Sequence, residues 1–308
     1  MRIFNVLLMG VVCLWANPTK AAITVGDSGL EAHVQAIFND DTTKAPFSFQ
    51  YGTLSSEEVL ARCLRTVVVK KIDAQHSAKT IIYTDSKTGL EIRWEGVEYR
   101  DYDTVEWTVY FKNTGTENTP ILSDIQGLDI NMQRDADSEF VLHYNRGDTS
   151  SASSYEPLTK TLVASEVFRT VPTGGRPTNH EFPYYNLRLG SEGVIIAVGW
   201  PGQWANQFAR DAADSLHITA GQERTHFTLH PSEEVRTPLI VLQYTKENEW
   251  IDGQNTWRQW MIQYNIPKPG GKQIKLPLLA GCSSQQFAEM TKASEKGQIE
   301  FIDSYLEH

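Results

Sequence analysis

The sequence predicts a mainly β chain, a large antiparallel β-sandwich that gives way to a short helical region. Three observations carry this expectation. Between Ile23 and Tyr244, short runs of alternating apolar and polar residues follow one another with turn residues between them. One run, Gly193 to Gly199, is continuously apolar, as a strand covered on both faces should be. From Lys246 onward the apolar spacing changes from two to three and four, the period of a helix.

Taken in order, residues 1–22 have the form of a secretory signal. Arg2 supplies the positive start, Ile3 to Trp15 the apolar run and Thr19-Lys20-Ala21-Ala22 a small-residue exit, with cleavage expected near Ala21 or Ala22. The run is too short for a transmembrane helix, which needs roughly 20 residues. A secreted or periplasmic location follows. Cys13 lacks the small residues that precede a lipoprotein cleavage site, and the remaining Cys63 and Cys282 are expected to stay unpaired.

Residues 23–245 read as the sandwich. Leu90, Ile92 and Trp94 alternate with Glu91, Arg93 and Glu95. Val105, Trp107, Val109 and Phe111 alternate with Thr104, Glu106, Thr108, Tyr110 and Lys112. These two runs are expected to pair antiparallel, joined near Asp101. Asn113-Thr114-Gly115 supplies turn chemistry, since Asn and Gly tolerate positive φ. Leu216 and Ile218 lead into an expected turn at Ala220-Gly221, and Thr225, Phe227 and Leu229 lead away from it. Val235 to Tyr244 closes the series, with Pro238 marking an edge or a strand start.

Residues 246–266 read as a crossing helix, with Trp257, Trp260, Met261 and Tyr264 on one face and Pro267 as its stop. Residues 267–282, with Pro269, Gly270, Gly271 and Pro277, read as a linker. In residues 283–308, Ser283 or Ser284 could cap one helix and Ser294 another, the latter carrying Ile299, Ile302 and Leu306 on one side. That helix runs to His308 without a cap or a partner for its apolar face, which is expected of a second domain cut short.

Composition narrows the function. Forty per cent hydrophobic and 21% charged residues are ordinary for a soluble globular chain of 308 residues. A formal net charge of −10 argues against nucleic acid and against anionic membranes, both of which need a basic face. A neutral partner such as a sugar suits it. His226 and His230 are four apart, which along a strand means roughly 13 Å, and no zinc motif is present, so no metal is expected. His180-Glu181 could be an acid/base pair, but neighbours in an extended segment point to opposite faces. The sequence holds no nucleophile elbow and no phosphate-binding loop.

Several blocks then occur in a telling order. Gly96-Val97-Glu98-Tyr99-Arg100-Asp101 is followed by Val105-Glu106-Trp107-Thr108, Phe111-Lys112-Asn113-Thr114-Gly115 and Thr119-Pro120-Ile121-Leu122. Gly174-Gly175-Arg176 leads to Phe182-Pro183-Tyr184-Tyr185-Asn186-Leu187, then Gly199-Trp200-Pro201-Gly202-Gln203-Trp204. Arg236-Thr237-Pro238-Leu239-Ile240, Trp257-Arg258-Gln259-Trp260-Met261 and Phe301-Ile302-Asp303-Ser304-Tyr305-Leu306 complete the set. This order resembles the front sandwich of the α-galactosidase-like glycoside hydrolases, the melibiase and raffinose-synthase group of clan D. The resemblance implies a supersandwich of the galactose-mutarotase type, followed by the first helices of an incomplete (β/α)8 barrel. In that family two barrel aspartates perform retaining hydrolysis, about 5–5.5 Å apart. No barrel strand is present here, so no catalytic residue is assigned and the chain alone is expected to be inactive.

The implied function is the non-catalytic N-terminal portion of a secreted α-galactosidase-like enzyme, shaping the sugar pocket and supporting the barrel. Its partners would be an α-galactoside-like glycan and its own downstream barrel, with no cofactor and with homo-oligomerisation left open. Six residues are candidates for the substrate side. Arg176, Thr178 and Asn179 lie in a loop opened by two glycines, which can aim a guanidinium at sugar hydroxyls or at a carboxylate. The competing use is a surface loop anchored by a salt bridge. Trp200 and Trp204 flank a Pro-Gly turn, where an exposed indole could stack on galactose and a buried one would simply fill core. Asp148 sits in a second loop, Arg146-Gly147-Asp148 with the Ser-rich stretch to Ser154 and Tyr155. Read alone, that triplet is a cell-adhesion signal short enough to occur by chance. A free-standing carbohydrate-binding sandwich is the alternative function, and a mutarotase-like epimerase, needing a His base facing a carboxylate, a third.

Overall fold

Alternating side chains build the sandwich strand by strand in the computed structural model, which describes residues 29–39, 44–134, 138–246, 249–272 and 294–306. The chain divides into two compact units, Met1–Gln259 and Trp260–His308. In the first unit, two antiparallel sheets face one another. The ten-stranded sheet runs in the order β3 (Leu64–Lys71), β4 (His76–Asp85), β5 (Leu90–Tyr99), β6 (Thr104–Asn113), β17 (Leu239–Thr245), β12 (Glu192–Gly199), β11 (Glu181–Leu189), β8 (Phe140–Arg146) and β9 (Pro157–Thr161). A short β16 (Glu234–Arg236) extends the pairing of β6. The seven-stranded sheet runs β10 (Val167–Thr170), β13 (Trp204–Arg210), β14 (Ser215–Gln222), β7 (Leu122–Gln133), β1 (Ser48–Tyr51) and β2 (Leu54–Ser55), with β15 (His226–Phe227) beside β7.

The predicted pair β5–β6 forms in full, from Leu90 opposite Asn113 to Tyr99 opposite Thr104. Its turn is a single 3-10 turn, Arg100–Tyr102, closed by Asp103 at φ 44°. Leu90, Ile92, Trp94, Val105, Trp107, Val109 and Phe111 all lie buried in one core. Each such side chain contributes on the order of 1.5–3 kcal/mol by leaving water. Across the core, Phe111 meets Phe49 of β1 edge-on at 5.1 Å, and Tyr185 of β11 meets Phe208 of β13 at 5.2 Å.

The expected turn at Ala220-Gly221 is instead the interior of β14, paired with β7. A register shift there leaves Gly127 of β7 as the extra residue of a bulge. Gly221 is required by close approach, since a Cβ would stand 2.5 Å from the Ile125 carbonyl. The bulge has a use: the Gly127 carbonyl accepts the Trp107 indole N–H at 2.9 Å across the core. Asn113 acts through its side chain, donating to the carbonyls of Glu117 (2.7 Å) and Leu229 (2.9 Å) and accepting from Gly115 N–H (2.9 Å). Pro238 stands immediately before β17, a strand start rather than an edge.

Two helices interrupt the region read as continuous strand. Helix α1 (Gly29–Asn39) buries Val34, Ile37 and Phe38, the i, i+3, i+4 face of an amphipathic helix. Its C-terminal end is fixed by Lys79 Nζ on the Phe38 carbonyl (2.6 Å) and by Asn39 on Glu98 (3.0 Å). Helix α2 (Ser56–Arg62) opens with a capping box between Ser55 and Glu58. Helix α3 (Trp250–Trp260) lies on the outer face of the large sheet, with Gln254 accepting from Tyr184 O–H at 2.9 Å and the Trp250 carbonyl accepting from Asn186 at 3.0 Å. The chain then takes a π-helical turn, Met261–Asn265, before Pro267. The predicted common face is not kept: Trp260 is buried, whereas Met261 is exposed.

In the second unit, Ser294 caps helix α4 (Glu295–Leu306) by accepting from Gly297 N–H at 3.1 Å, as its sequence predicts. No described residue of this unit forms a barrel strand. The leader 1–22, Cys282, Ser283, Ser284 and most of the linker 267–282 lie outside the described residues.

Candidate functional site

Strand β8 ends at Arg146 and β11 begins at Glu181, so the loops leaving them start side by side. Backbone hydrogen bonds fuse these loops into one surface. Gly147 N–H donates to the His180 carbonyl (3.0 Å), Asp148 N–H to Thr178 (2.6 Å), and His180 N–H back to Asp148 (3.0 Å). Asp148 and Asn179 thereby form an isolated parallel bridge. Only glycine fits at 147, where a Cβ would stand 2.4 Å from the Thr178 carbonyl. Just beyond, the register between β11 and β8 slips between Glu181 and Tyr185, around Pro183, which has no N–H to give the ladder.

The Gly174–His180 turn is held from three sides. Gly174 and Gly175 take φ of 68° and 75°, and His180 closes the turn at 68°. Gly175 N–H donates to Gln203 Oε1 (3.0 Å), and Gln203 Nε2 donates to the Pro172 carbonyl. The Trp204 indole N–H donates to the Pro177 carbonyl at 2.7 Å. Asn179 gives its amide to the Thr173 carbonyl (2.9 Å) and hydroxyl (2.8 Å) while accepting from Arg176 at 2.9 Å. Arg176 is exposed, and Thr178 and Asn179 are half-buried.

Charge is distributed unevenly over this surface. Hydrogen bonds from Ser150 N–H (2.8 Å) and Ser154 Oγ (3.0 Å) hold the Asp148 carboxyl below the usual range, with the charges of Arg176 and His180 adding to the effect. Burial pushes Glu181 the other way, opposed by the charges of Arg146 and His180. Tyr155 stands half-exposed at the rim, edge-on to Phe182 at 5.8 Å. An ionised carboxylate, a guanidinium, an amide and an aromatic rim are groups that recognise hydroxylated rings. The Arg146-Gly147-Asp148 triplet is not displayed as a free loop: Gly147 is buried, Arg146 faces Glu156 at 3.4 Å, and Asp148 is bound to Ser150 and Ser154.

The structure therefore joins four of the six sequence candidates, Asp148, Arg176, Thr178 and Asn179, and places the fifth, Trp204, beneath them. Trp204 is fully buried and acts on the loop through its one hydrogen bond, so no indole face is open there. Trp200 lies in a different recess of about 460 Å³ shared with Phe227 and Gln222, where the Arg236 guanidinium covers its ring at 5.2 Å. Sequence reasoning passed over Gln203 and Tyr155 as site residues. Gln203 lay visible between two flagged tryptophans, whereas nothing local marks Tyr155 as a rim. Among the described residues, no group of three or more His, Cys, Asp and Glu could hold a metal ion.

The sequence matches no protein-family model and no curated protein. Solved structures do match. An α-galactosidase from Lactobacillus brevis superposes with a TM-score of 0.55 at 12% identity, over 72% of this chain and 31% of that one. The galactosidase domain of an α-galactosidase–sucrose kinase matches with a TM-score of 0.51 at 14% identity, over 67% of this chain and 30% of that one. A family 36 α-galactosidase from Geobacillus stearothermophilus in complex with stachyose matches with a TM-score of 0.50 at 14% identity, over 71% and 32%. This chain thus spans about a third of the length of these enzymes, and at such identities the likeness is one of fold: the sandwich is glycoside-hydrolase-like.

Proposed function

We propose that this chain is the non-catalytic sandwich portion of a secreted α-galactosidase-like glycoside hydrolase, and that its fused loops wall one side of the sugar pocket. The observation that carries the reading is the bridge between Asp148 and Asn179, which sets a carboxylate and a guanidinium on one rigid surface. A wall made this way can orient hydroxyls, and in this reading hydrolysis falls to a barrel domain of the same polypeptide. The glycan partner would be an α-galactoside, and residues 1–22 would export the protein. The sharing of fold with α-galactosidases supports the reading. The experiment is direct: the purified 308-residue chain is incubated with 4-nitrophenyl α-galactoside. No release of nitrophenol above buffer is expected, and turnover that tracks the protein concentration would overturn the assignment.

A further inference from the structure

On the outer face of the large sheet, helix α3 and the edge hairpin β8–β9 enclose a groove of about 280 Å³. Its walls are Trp250, Gln254, Asn255 and Arg258 from one helix face, and His143, Asn145 and Thr159 from the hairpin. None of the lining residues is acidic, in a chain of net charge −10. We infer that this groove binds one saccharide unit, at a site separate from the fused loops.

Three features lead to that ligand. First, the groove has a fixed aromatic wall: the His143 and Trp250 rings stack at 4.7 Å and 10°. Burial, with the charge of Arg188 adding, holds His143 below the usual imidazole range, which favours the uncharged ring in the stack. The stack covers one face of each ring and fixes the Trp250 indole at the groove, where its apolar surface can pack against sugar C–H groups. Second, its amides are already oriented. Gln254 Oε1 is occupied by Tyr184 O–H at 2.9 Å, which leaves Nε2 as a donor with no partner among the described residues. Asn145 Nδ2 is occupied by the Tyr155 carbonyl at 3.1 Å, which leaves Oδ1 as an acceptor. Third, hydroxyl groups both donate and accept, and this groove offers both functions in fixed positions. Arg258, exposed at one end, adds a fork of donors. The inference stands on the groove and does not require the glycosidase reading.

The test is an NMR titration of the isotopically labelled 308-residue chain with stachyose. The Trp250 indole N–H and the side-chain amides of Gln254 and Asn255 are expected to shift together, in a saturable manner. The double variant Asn255→Ala, Arg258→Ala alters two exposed helix positions and is expected to weaken binding at least about fivefold, a change of roughly 1 kcal/mol, with its melting temperature unchanged. Absence of shifts at these signals would overturn the inference, as would equal affinity in the double variant. Shifts confined to residues 146–155 and 174–180 would also overturn it, while leaving the proposed function standing.

Discussion

Glu106 projects from β6 on the side opposite Trp107, onto the outer face of the large sheet, where its carboxylate accepts from Tyr99 O–H at 2.7 Å. Burial raises its pKa, and the tyrosine bond offsets only part of that. The sign of the consequence is fixed by linkage. Because the folded pKa lies above the unfolded value of about 4.3, the folded state holds the proton more tightly, and stability is lost as pH rises through the folded pKa. Glu106→Gln keeps an acceptor for Tyr99 and removes the titration. Denaturant unfolding across pH 4 to 8 should therefore show the variant gaining stability relative to the parent as pH rises, with the two alike near pH 4. Cys63 is a second case of burial at work: its thiol is pushed up to about 11, chiefly by burial with the Asp85 carboxylate adding, and it donates to the Val59 carbonyl at 3.2 Å. A thiol so rarely ionised is a poor nucleophile at neutral pH.

Among the elements, strands were the most legible and short helices the least. The period-two runs at Leu90–Trp94 and Val105–Phe111 became β5 and β6 because one face of each is core along most of its length. Helix α2 escaped notice although Ser55 and Glu58 spell its capping box, because seven residues offer too little apolar periodicity to count. Its cap now gives a clean test. Ser55 accepts from Glu58 N–H at 3.3 Å while Glu58 accepts from Ser55 N–H at 2.8 Å. Ser55→Ala should cost about 1 kcal/mol in chemical denaturation, with faster amide exchange confined to the first turn of α2. At Ala220-Gly221 the sequence misled for a different reason. Glycine commonly marks a turn, and here it marks a place where backbone meets backbone inside a sheet, a fact held by Ile125 in a distant stretch of the sequence.

The sandwich as a whole depends on contacts between its sheets, and the Trp107–Gly127 hydrogen bond is one that combines packing with a polar tie. Trp107→Phe would shrink a fully buried ring and leave the Gly127 carbonyl facing an apolar core. A loss of about 3 kcal/mol is expected, seen as a lower denaturation midpoint with one cooperative transition shared by both sheets. The same long-range logic explains what could be read of the site. Each loop could be marked as a candidate from its own glycines and polar residues, but their union could not, because Asp148 and Asn179 are brought together only when β8 pairs with β11. For Trp204 the sequence offered both sugar stacking and core packing, and the structure settles on packing; what it could not show was the hydrogen bond by which the buried indole holds the loop. That arrangement sets a rule for anyone who would redesign the surface. The stretch 146–155, the turn 171–180 and the Gln203-Trp204 corner behave as one cassette, so a graft that exchanges the turn alone would strand donors and acceptors on the other two pieces, and a transplant into another scaffold must carry all three.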